Sequence, residues 1–416
     1  MEDRDGRVML DFGKSFGVWK RYFAAFVNPK DSLRHYLIPG LLPKLKNVYR
    51  RDMGADGLGL WEGDERGLDG VLISHAHADH YEMLFALEPD IPIYCGELCL
   101  GIMKITLKKK RDDKRFFNPG GRERDFRTFR SGDLLDVGIK VRAVHVDHSI
   151  PGSYGFILET SKGCVVYSGD LRLHGASPQL TRDFIEEARE CEPEYLLLEG
   201  TRIGEVDRTR ESDVFDRCLN VAKAEEGLIV LNFNVRDVDR LGTFVKLAKE
   251  LGRELVITEK WEDIVELYGR DEKLKRKIPT PDRHPFLIYE GKGENRIEAD
   301  EIKKRPGRYM LAIDPYKLPI LFDVEPEGGT FIDSQSEPFD EEGELDYERL
   351  RNWVELFGLK YFHAHSHGHA DGVELKEIVE GMRPKKLIPI HTDKPKLFKG
   401  LIGYDRLVLD RVVEVV

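Results

Sequence analysis

The sequence lacks the features that mark secreted and membrane proteins. Its 416 residues include only five cysteines, which form no Cys-x-x-Cys pair and so argue against a disulfide framework or a thiolate zinc site. Residues 1–5 contain no apolar signal core, and no apolar run approaches the roughly 20 residues that a membrane span requires. We therefore expect a soluble cytoplasmic protein with reduced cysteines and no membrane partner. A chain of this length buries a core without disulfides or a structural metal, so a metal site in it can be catalytic.

Positive charge is also scarce, since the net charge is -11. A globally acidic protein repels nucleic acid at long range. The charge is uneven, however: residues 104–130 contain eleven Lys or Arg and four Asp or Glu, which gives +7 there and leaves -18 elsewhere. Phe116, Phe117, Phe126 and Phe129 lie among these charges. Two interpretations stay open, a surface that binds a nucleic-acid backbone and stacks on bases, or a solvated helix and loop whose phenylalanines are buried.

Short apolar runs alternate with segments of helical spacing along the chain, which predicts an α/β fold. Strand-like runs include residues 71–73, 141–144, 164–167 and 195–198. Beyond residue 200, the runs 227–233 and 254–257 flank a helical segment, the sign of a βαβ unit. We predict a first domain part over residues 1–200, a second domain over 201–345, and a final part over 346–416.

The most informative stretch is His75-Ala76-His77-Ala78-Asp79-His80, which directly follows the apolar run 71–73. Neutral imidazole and carboxylate are ligands of borderline cations such as zinc. A lone His-x-His is more often a solvated pair, but three histidines and an aspartate at the end of a buried strand favour a metal site.

Three distant residues repeat this design of a ligand at the end of a strand. His148 follows the run 141–144, Asp170 follows 164–167, and His391 follows 387–390. Singly, each has an ordinary structural explanation, as a loop residue, a turn residue or a packed histidine. Together with the first cluster they give seven candidate ligands, enough for two metal ions bridged by one carboxylate. Such a pair acts as a clamp on a phosphoryl group and generates hydroxide near neutral pH.

These motifs resemble those of the metallo-β-lactamase-fold nucleases of the β-CASP group, and among them RNase J most. The resemblance covers nearly the whole chain and is carried by Ser74-His75-Ala76-His77-Ala78-Asp79-His80, His148-Ser149-Ile150-Pro151, Ser168-Gly169-Asp170, Leu198-Glu199-Gly200-Thr201, His365-Ser366-His367-Gly368-His369-Ala370 and Pro389-Ile390-His391-Thr392. It implies an αββα metallo-β-lactamase sandwich, formed by residues 1–200 and 346–416, with an inserted α/β β-CASP domain over 201–345.

The resemblance also implies roles for these residues. His75, His77 and His148 would hold one zinc ion, Asp79, His80 and His391 a second, and Asp170 would bridge them, with hydroxide as the nucleophile. Manganese is the alternative metal. Asp79 would also act in catalysis, and His369 would protonate the leaving group with Glu199 holding its imidazole. His365 would bind the scissile phosphate, and Ser366, His367 and Ser153 are further candidates for binding the substrate.

The sequence departs from the family at several positions. His367 stands where serine is usual, and Gly200 stands where serine often follows the motif glutamate, so the preference for one RNA end stays open. Only seven residues precede Val8, where the family has a glycine-rich strand, so we expect either a truncated start or a sheet without that edge strand. The chain stops about 25 residues after His391, without the C-terminal domain of bacterial RNase J, so a homodimer stays open.

We expect a metal-dependent ribonuclease that acts on single-stranded RNA, as a 5′–3′ exonuclease of the RNase J type with endonuclease activity left open. The alternatives are a single-stranded DNA nuclease of the DNA-repair branch and a hydrolase of small esters or lactones. A non-catalytic RNA-binding scaffold is the last alternative. His391 argues against the DNA-repair branch, which usually has valine there, and the inserted domain argues against a small substrate.

Overall fold

A computed structural model describes residues 1–4, 6–23, 26–63, 67–110, 112–271, 286–291, 294–338, 341–403 and 405–409. The chain forms two compact units. Unit 1 comprises Met1–Leu173, Pro178–Val206 and His369–Val416, and unit 2 comprises His174–Ser177 and Asp207–Gly368. The chain of unit 2 is therefore an insertion within the chain of unit 1.

The strands of the described residues are, in chain order, β1 (Glu2–Asp3), β2 (Gly6–Leu10), β3 (Gly70–Ile73), β4 (Ile93–Gly96), β5 (Phe126–Phe129), β6 (Leu134–Asp136), β7 (Lys140–His145), β8 (Tyr154–Thr160), β9 (Gly163–Tyr167), β10 (Tyr195–Glu199), β11 (Ile229–Asn232), β12 (Glu254–Thr258), β13 (Phe286–Tyr289), β14 (Arg296–Ile297), β15 (Tyr309–Ile313), β16 (Thr330–Asp333), β17 (Lys360–His363) and β18 (Lys386–Ile390).

The helices are α1 (Phe16–Tyr22), α2 (Arg34–Leu37), α3 (Ala78–Tyr81), α4 (Glu97–Lys110), α5 (Asp113–Phe117), α6 (Pro178–Glu190), α7 (Glu211–Ala222), α8 (Val238–Leu251), α9 (Glu259–Arg270), α10 (Ala299–Lys304), α11 (Ile320–Val324), α12 (Glu341–Leu356), α13 (Gly372–Met382) and α14 (Lys399–Ile402). Short 3-10 helices occur at Arg51–Met53, Glu82–Ala86, Pro119–Gly121, Pro306–Arg308, Pro315–Lys317 and Pro395–Phe398.

Unit 1 contains two sheets, with strand orders β1-β2-β3-β4-β5 and β18-β10-β9-β8-β7-β6. Their inner faces share one apolar core, in which Leu72 and Phe129 of the first sheet lie with Phe156 and Val165 of the second. Helices cover the outer faces: α4 buries Ile102 and Met103, and α6 and α13 pack on the second sheet. The expected αββα sandwich is confirmed.

Unit 2 contains a parallel sheet in the order β14-β13-β12-β15-β11-β16-β17. Helix α8, which connects β11 to β12, begins at Asp237, whose carboxylate accepts from Arg240 N, and ends at Gly252 in the left-handed conformation. The expected α/β insertion is confirmed. Its limits differ from the predicted 201 and 345, because β17 pairs with β16 of the same sheet, so the unit extends to Gly368. The acidic stretch near residue 345 begins a helix instead of ending a domain.

Two further expectations need correction. Cys164 and Cys191 form a disulfide with a Cα–Cα distance of 6.1 Å, because β9 and the end of α6 lie together in the fold. The reduced state expected of all five cysteines is therefore wrong for this pair.

In the basic stretch 104–130, Phe116 and Phe129 are both 2% exposed and pack against other rings. Their burial supports the interpretation of this stretch as a solvated helix and loop whose phenylalanines are buried. Among the helices of the described residues, none has the length and apolar character needed to cross a membrane.

Candidate metal centre

Three of the candidate ligands of unit 1 follow strands that end on the same side of its second sheet, and the other four follow β3 of its first sheet. Strands β9, β10 and β18 run parallel, and β7 runs in the same direction because both β7 and β9 are antiparallel to β8. His148, Asp170 and His391 follow β7, β9 and β18 in the chain. Parallel strand ends meet at the same edge, so the fold brings together residues that are far apart in sequence.

The first group of potential ligands is His75, His77, His148 and Asp170, whose ligand atoms all lie within 4.8 Å of one another. His77 Nδ1 is 3.0 Å from His75 Nε2 and 3.1 Å from His148 Nε2. Three converging imidazoles beside a carboxylate fit a tetrahedral site for a borderline cation.

The second group is Asp79, His80 and His391. Helix α3 carries the first two residues, and His391 Nε2 lies 3.1 Å from Asp79 Oδ2. The hydroxyl of Thr201 lies 2.7 Å from His391 Nδ1, which orients this ring. His391 has a φ of 50°, a conformation uncommon outside glycine and often found at functional sites.

Asp170 links the two groups. Its Oδ2 lies 3.1 Å from His80 Nε2 and 3.5 Å from His75 Nε2, and its Oδ1 lies 3.8 Å from His391 Nδ1. The residue is 2% exposed, and neither of its oxygens has a hydrogen-bond partner among the described residues. Burying a carboxylate without partners is costly. The residues therefore fit the metal ions that the sequence implies, while the assignment of each ligand to one of two ions stays a prediction.

Asp11 supports the site from the end of β2, and sequence reasoning missed this role. It accepts hydrogen bonds from the Ser74 main-chain N (2.7 Å) and the Tyr167 hydroxyl (2.6 Å), and its Oδ2 lies 2.7 Å from His80 Nδ1. A carboxylate on Nδ1 fixes the imidazole tautomer and leaves Nε2 to bind a cation. The sequence offered one signal for this role, which is an aspartate directly after an apolar run, as at Asp170. The structure shows that this run, β2, is parallel to β3, so Asp11 lies beside the residues that follow β3.

The carboxylates set the charge of these histidines. Burial opposes protonation of His80, but Asp170 and Asp11 outweigh it and raise its pKa well above the usual value. His391 behaves likewise: Asp170 and Asp79 overcome burial and raise its pKa to about 9. The site thus attracts positive charge strongly, and a bound cation would take the place of these protons.

Glu199 and His369 form a pair beside this cluster. Glu199 is fully buried, its Oε1 lies 3.2 Å from His369 Nδ1, and its Oε2 accepts from Thr201 N at 3.0 Å. Burial disfavours a charged His369, but the carboxylates of Glu199 and Asp170 raise its pKa above the usual value. An imidazole that donates Nδ1–H to a buried carboxylate keeps Nε2 for proton transfer.

In unit 2, the histidines of residues 363–367 have different partners. Arg240, which is 1% exposed, donates to Glu211 Oε1 at 2.7 Å and to Ser334 O at 2.9 Å, and its Nη1 lies 3.2 Å from His365 Nδ1. Burial and the Arg240 cation lower the pKa of His365 well below the usual value. Among the described residues, the groups that could hold a metal ion include His369 but not His363, His365 or His367.

The remaining candidates for binding the substrate are differently placed. The Ser153 hydroxyl donates to Ile150 O at 2.8 Å, so it caps a turn. His367 Nε2 lies 3.7 Å from Asp207 Oδ2. Ser366 is fully buried, and its hydroxyl has no hydrogen-bond partner among the described residues. Roles in phosphate binding stay predictions for these three residues.

Comparison with family models and curated proteins agrees with this geometry. A model described as a beta-lactamase superfamily domain matches residues 60–207, and one described as a Zn-dependent metallo-hydrolase RNA specificity domain matches residues 359–399. Ribonuclease J from Sinorhizobium meliloti is 25% identical over 358 residues, which cover 80% of this chain and 59% of the relative. Ribonuclease J from Pyrococcus abyssi is 26% identical over 202 residues, 45% of this chain and 42% of the relative. The chain thus spans less than two thirds of these relatives.

Among solved structures, one described as a protein of unknown function from Enterococcus faecalis superposes with a TM-score of 0.78 and 23% identity. The superposition covers 99% of this chain and 93% of the other. At this identity, the similarity supports the fold alone.

Proposed function

We propose that this chain, which belongs to the metallo-β-lactamase superfamily and is similar to RNase J, is a metal-dependent ribonuclease that hydrolyses RNA phosphodiester bonds. One observation carries the proposal: the buried carboxylate of Asp170 lies within 4 Å of histidines from both ligand groups. The match of residues 359–399 to an RNA specificity domain supports RNA as the substrate.

The donor set favours two zinc ions, because imidazole suits zinc, although the carboxylates also permit manganese. His75, His77 and His148 would hold one ion and Asp79, His80 and His391 the other, with Asp170 between them. Bound there, the ions would neutralise the phosphate charge and lower the pKa of a water molecule.

The protein's own residues would position the proton that the reaction needs. A water oxygen would form the new bond to phosphorus while the bond between phosphorus and the leaving oxygen breaks, and His369 Nε2 is the proposed donor of the proton that the leaving oxygen takes. Glu199 fixes the ring through Nδ1 and stabilises its protonated form, as the 3.2 Å contact and the raised pKa of His369 support. Asp11 keeps His80 in the tautomer that leaves Nε2 for a ligand.

For the mode of attack, we propose a 5′–3′ exonuclease on single-stranded RNA, from the similarity to Ribonuclease J. A cytoplasmic location and a homodimer stay predictions.

The test is cleavage of one labelled RNA, carrying either a 5′-monophosphate or a 5′-hydroxyl, beside a single-stranded DNA of matching sequence. The protein is reconstituted with zinc or with manganese in parallel. Mononucleotides released only from the monophosphorylated RNA support the full proposal. Internal fragments would replace the exonuclease mode with an endonuclease, and equal cutting of the DNA would favour the DNA-repair branch. A protein that cuts neither strand in either metal is not the proposed ribonuclease.

A further inference from the structure

The segment that directly follows β2 has an unusual composition. Residues 12–30 contain six aromatic residues, four Lys or Arg, and no Asp or Glu, in a chain with a net charge of -11. Interleaved cations and aromatic rings are typical of surfaces that bind single-stranded nucleic acid without sequence preference. The part of interest here is residues 12–23, called the aromatic–basic segment below.

This segment is attached to the candidate metal loop. Phe12 N donates to His80 O at 2.7 Å, and Lys14 N donates to Ala78 O at 3.1 Å. A Cβ at Gly13 would lie 1.8 Å from the main-chain carbon of Asp79, so the two loops approach as closely as only glycine allows. The start of the aromatic–basic segment therefore lies directly against the candidate metal loop.

Only Phe12, which is 7% exposed, joins the core, and the other residues of the segment are half-buried or exposed. Helix α1 buries none of its residues, Phe16 is 43% exposed and Tyr22 is 54% exposed. Lys14 Nζ lies 3.4 Å from the ring centroid of Trp19, a cation–π contact. A ligand at this surface can therefore stack on exposed aromatic rings and pair with neighbouring positive charges at the same time.

A cavity of about 150 Å³ extends this surface, and its lining includes Lys14, Trp19, Tyr36, Phe85 and Arg115. Two carboxylates, Glu82 and Asp112, also line it, and Glu82 is paired with Lys110 Nζ at 2.8 Å. Burial lowers the pKa of Lys14, so its ammonium would gain from a further acceptor such as a phosphate oxygen.

The basic stretch 104–130 is less suited to this task, although its composition is similar. Arg130 pairs with Glu97 at 2.8 Å, Arg122 pairs with Glu88 at 2.9 Å, and Arg124 is 3% exposed with its guanidinium on main-chain oxygens. These three arginines are therefore already engaged within the protein.

We propose that the aromatic–basic segment is a contact surface for single-stranded RNA, which stacks bases on Phe16, Trp19 and Tyr22 and neutralises phosphates with Lys14, Lys20 and Arg21. This inference rests on the proposed ribonuclease function, since it supplies a strand-binding surface next to the metal loop. The partner is recognised by stacking and charge, not by base sequence.

The test measures binding of a labelled oligouridine of about 20 nucleotides to the full chain in EDTA, by fluorescence anisotropy at several salt concentrations. The variant Lys14→Gln/Lys20→Gln/Arg21→Gln should weaken binding by about 10-fold or more and reduce the salt slope by about 2, since each phosphate contact to a single strand contributes about 0.7. The matched control is Lys104→Gln/Lys108→Gln, which removes exposed charges from α4 and should change Kd by less than about 2-fold.

A second variant tests the stacking surface without changing any charge, so an effect of lost charge on folding cannot explain its result. Phe16→Ala/Tyr22→Ala changes two exposed rings and should weaken binding by about 5-fold or more. The oligouridine should also quench tryptophan emission in the parent protein, and Trp19→Phe should abolish that quenching. Unchanged affinity in both multiple variants, or equal losses in the Lys104/Lys108 control, would overturn the proposal.

Failure of the surface and failure of the proposed function are distinguishable. Hydrolysis of bis(p-nitrophenyl) phosphate needs no strand contact, so the segment variants should retain it while Asp170→Asn loses it. If the parent protein cleaves RNA but binds the oligouridine independently of residues 14–22, the ribonuclease function is supported and the proposed surface is refuted. If the parent binds the oligouridine through the segment but cleaves no RNA, the surface is supported and the ribonuclease function is refuted.

Discussion

Two groups of histidines in this molecule have opposite electrostatic surroundings. In unit 1, His80 and His391 lie among carboxylates that raise their pKa values, whereas in unit 2, His365 lies beside Arg240, which contributes to a lowered pKa. Neighbouring carboxylates favour the protonated ring in the first place, and a neighbouring guanidinium disfavours it in the second. His75 of unit 1 shows that the carboxylates do not act alone, because burial and the neighbouring histidines lower its pKa well below the usual value.

The sharpest way to break this contrast is Asp170→Asn, which removes the central carboxylate of unit 1. We expect RNA cleavage to fall by about 10,000-fold, because bound metal contributes several kcal/mol to the transition state and about 1.4 kcal/mol equals tenfold in rate. Metal content by mass spectrometry should fall with it. Unchanged metal content in the variant would show that Asp170 does not contribute to metal binding.

His369→Ala tests whether the histidine next to the ligands differs in role from the ligands themselves. We expect a loss of about 100- to 10,000-fold in kcat, the usual contribution of a general acid, with the metal content unchanged. A variant that loses its metal instead would place His369 among the ligands. Glu199→Gln is the matched variant, and it should lower activity in the same direction because it weakens the hold on Nδ1.

Arg240→Met removes the cation from the unit 2 cluster. Breaking a buried pair leaves Glu211 without its partner, so we expect the free energy of unfolding to fall by about 3–5 kcal/mol. The pKa of His365, followed by NMR, should rise because the cation that lowers it is gone. The double variant Arg240→Met/Glu211→Leu should recover part of the stability. Equal losses in the single and double variants would show that the loss comes from the other contacts of Arg240, such as that with Ser334, and not from the unpaired Glu211.

Asp11→Asn is the mildest change to the carboxylate-rich cluster. It retains the shape but removes the charge that orients His80, and the expected loss in metal affinity is about 10- to 100-fold. A competition titration with a chelator measures this affinity. Unchanged metal affinity would show that the charge of Asp11 is not needed to orient His80. The hydrogen bonds of residue 11 with Ser74 and Tyr167 would then be enough to hold the metal loop in place.

The unit 1 site could largely be predicted from sequence, because its ligands follow apolar runs that form strands. The strand before His75 and the strands before Asp170 and His391 lie where the apolar runs placed them, and strand ends gather ligands at one edge. The pairing of Arg240 with His365, 125 residues apart, carries no local signal. The Cys164–Cys191 disulfide and the burial of Phe116 likewise depend on packing between elements, which composition does not reveal.

The insertion of unit 2 within unit 1 also sets an order of assembly during synthesis. Strand β18, which directly precedes His391, pairs with β10, yet residues 207–368 emerge from the ribosome between them. Domains generally fold as units in the order in which they emerge, so unit 2 can fold while its host still lacks an edge strand. His75, His77, His148 and Asp170 are made before the insertion, and His391 arrives last. The proposed ligand set is therefore complete only after the chain has been translated past β18.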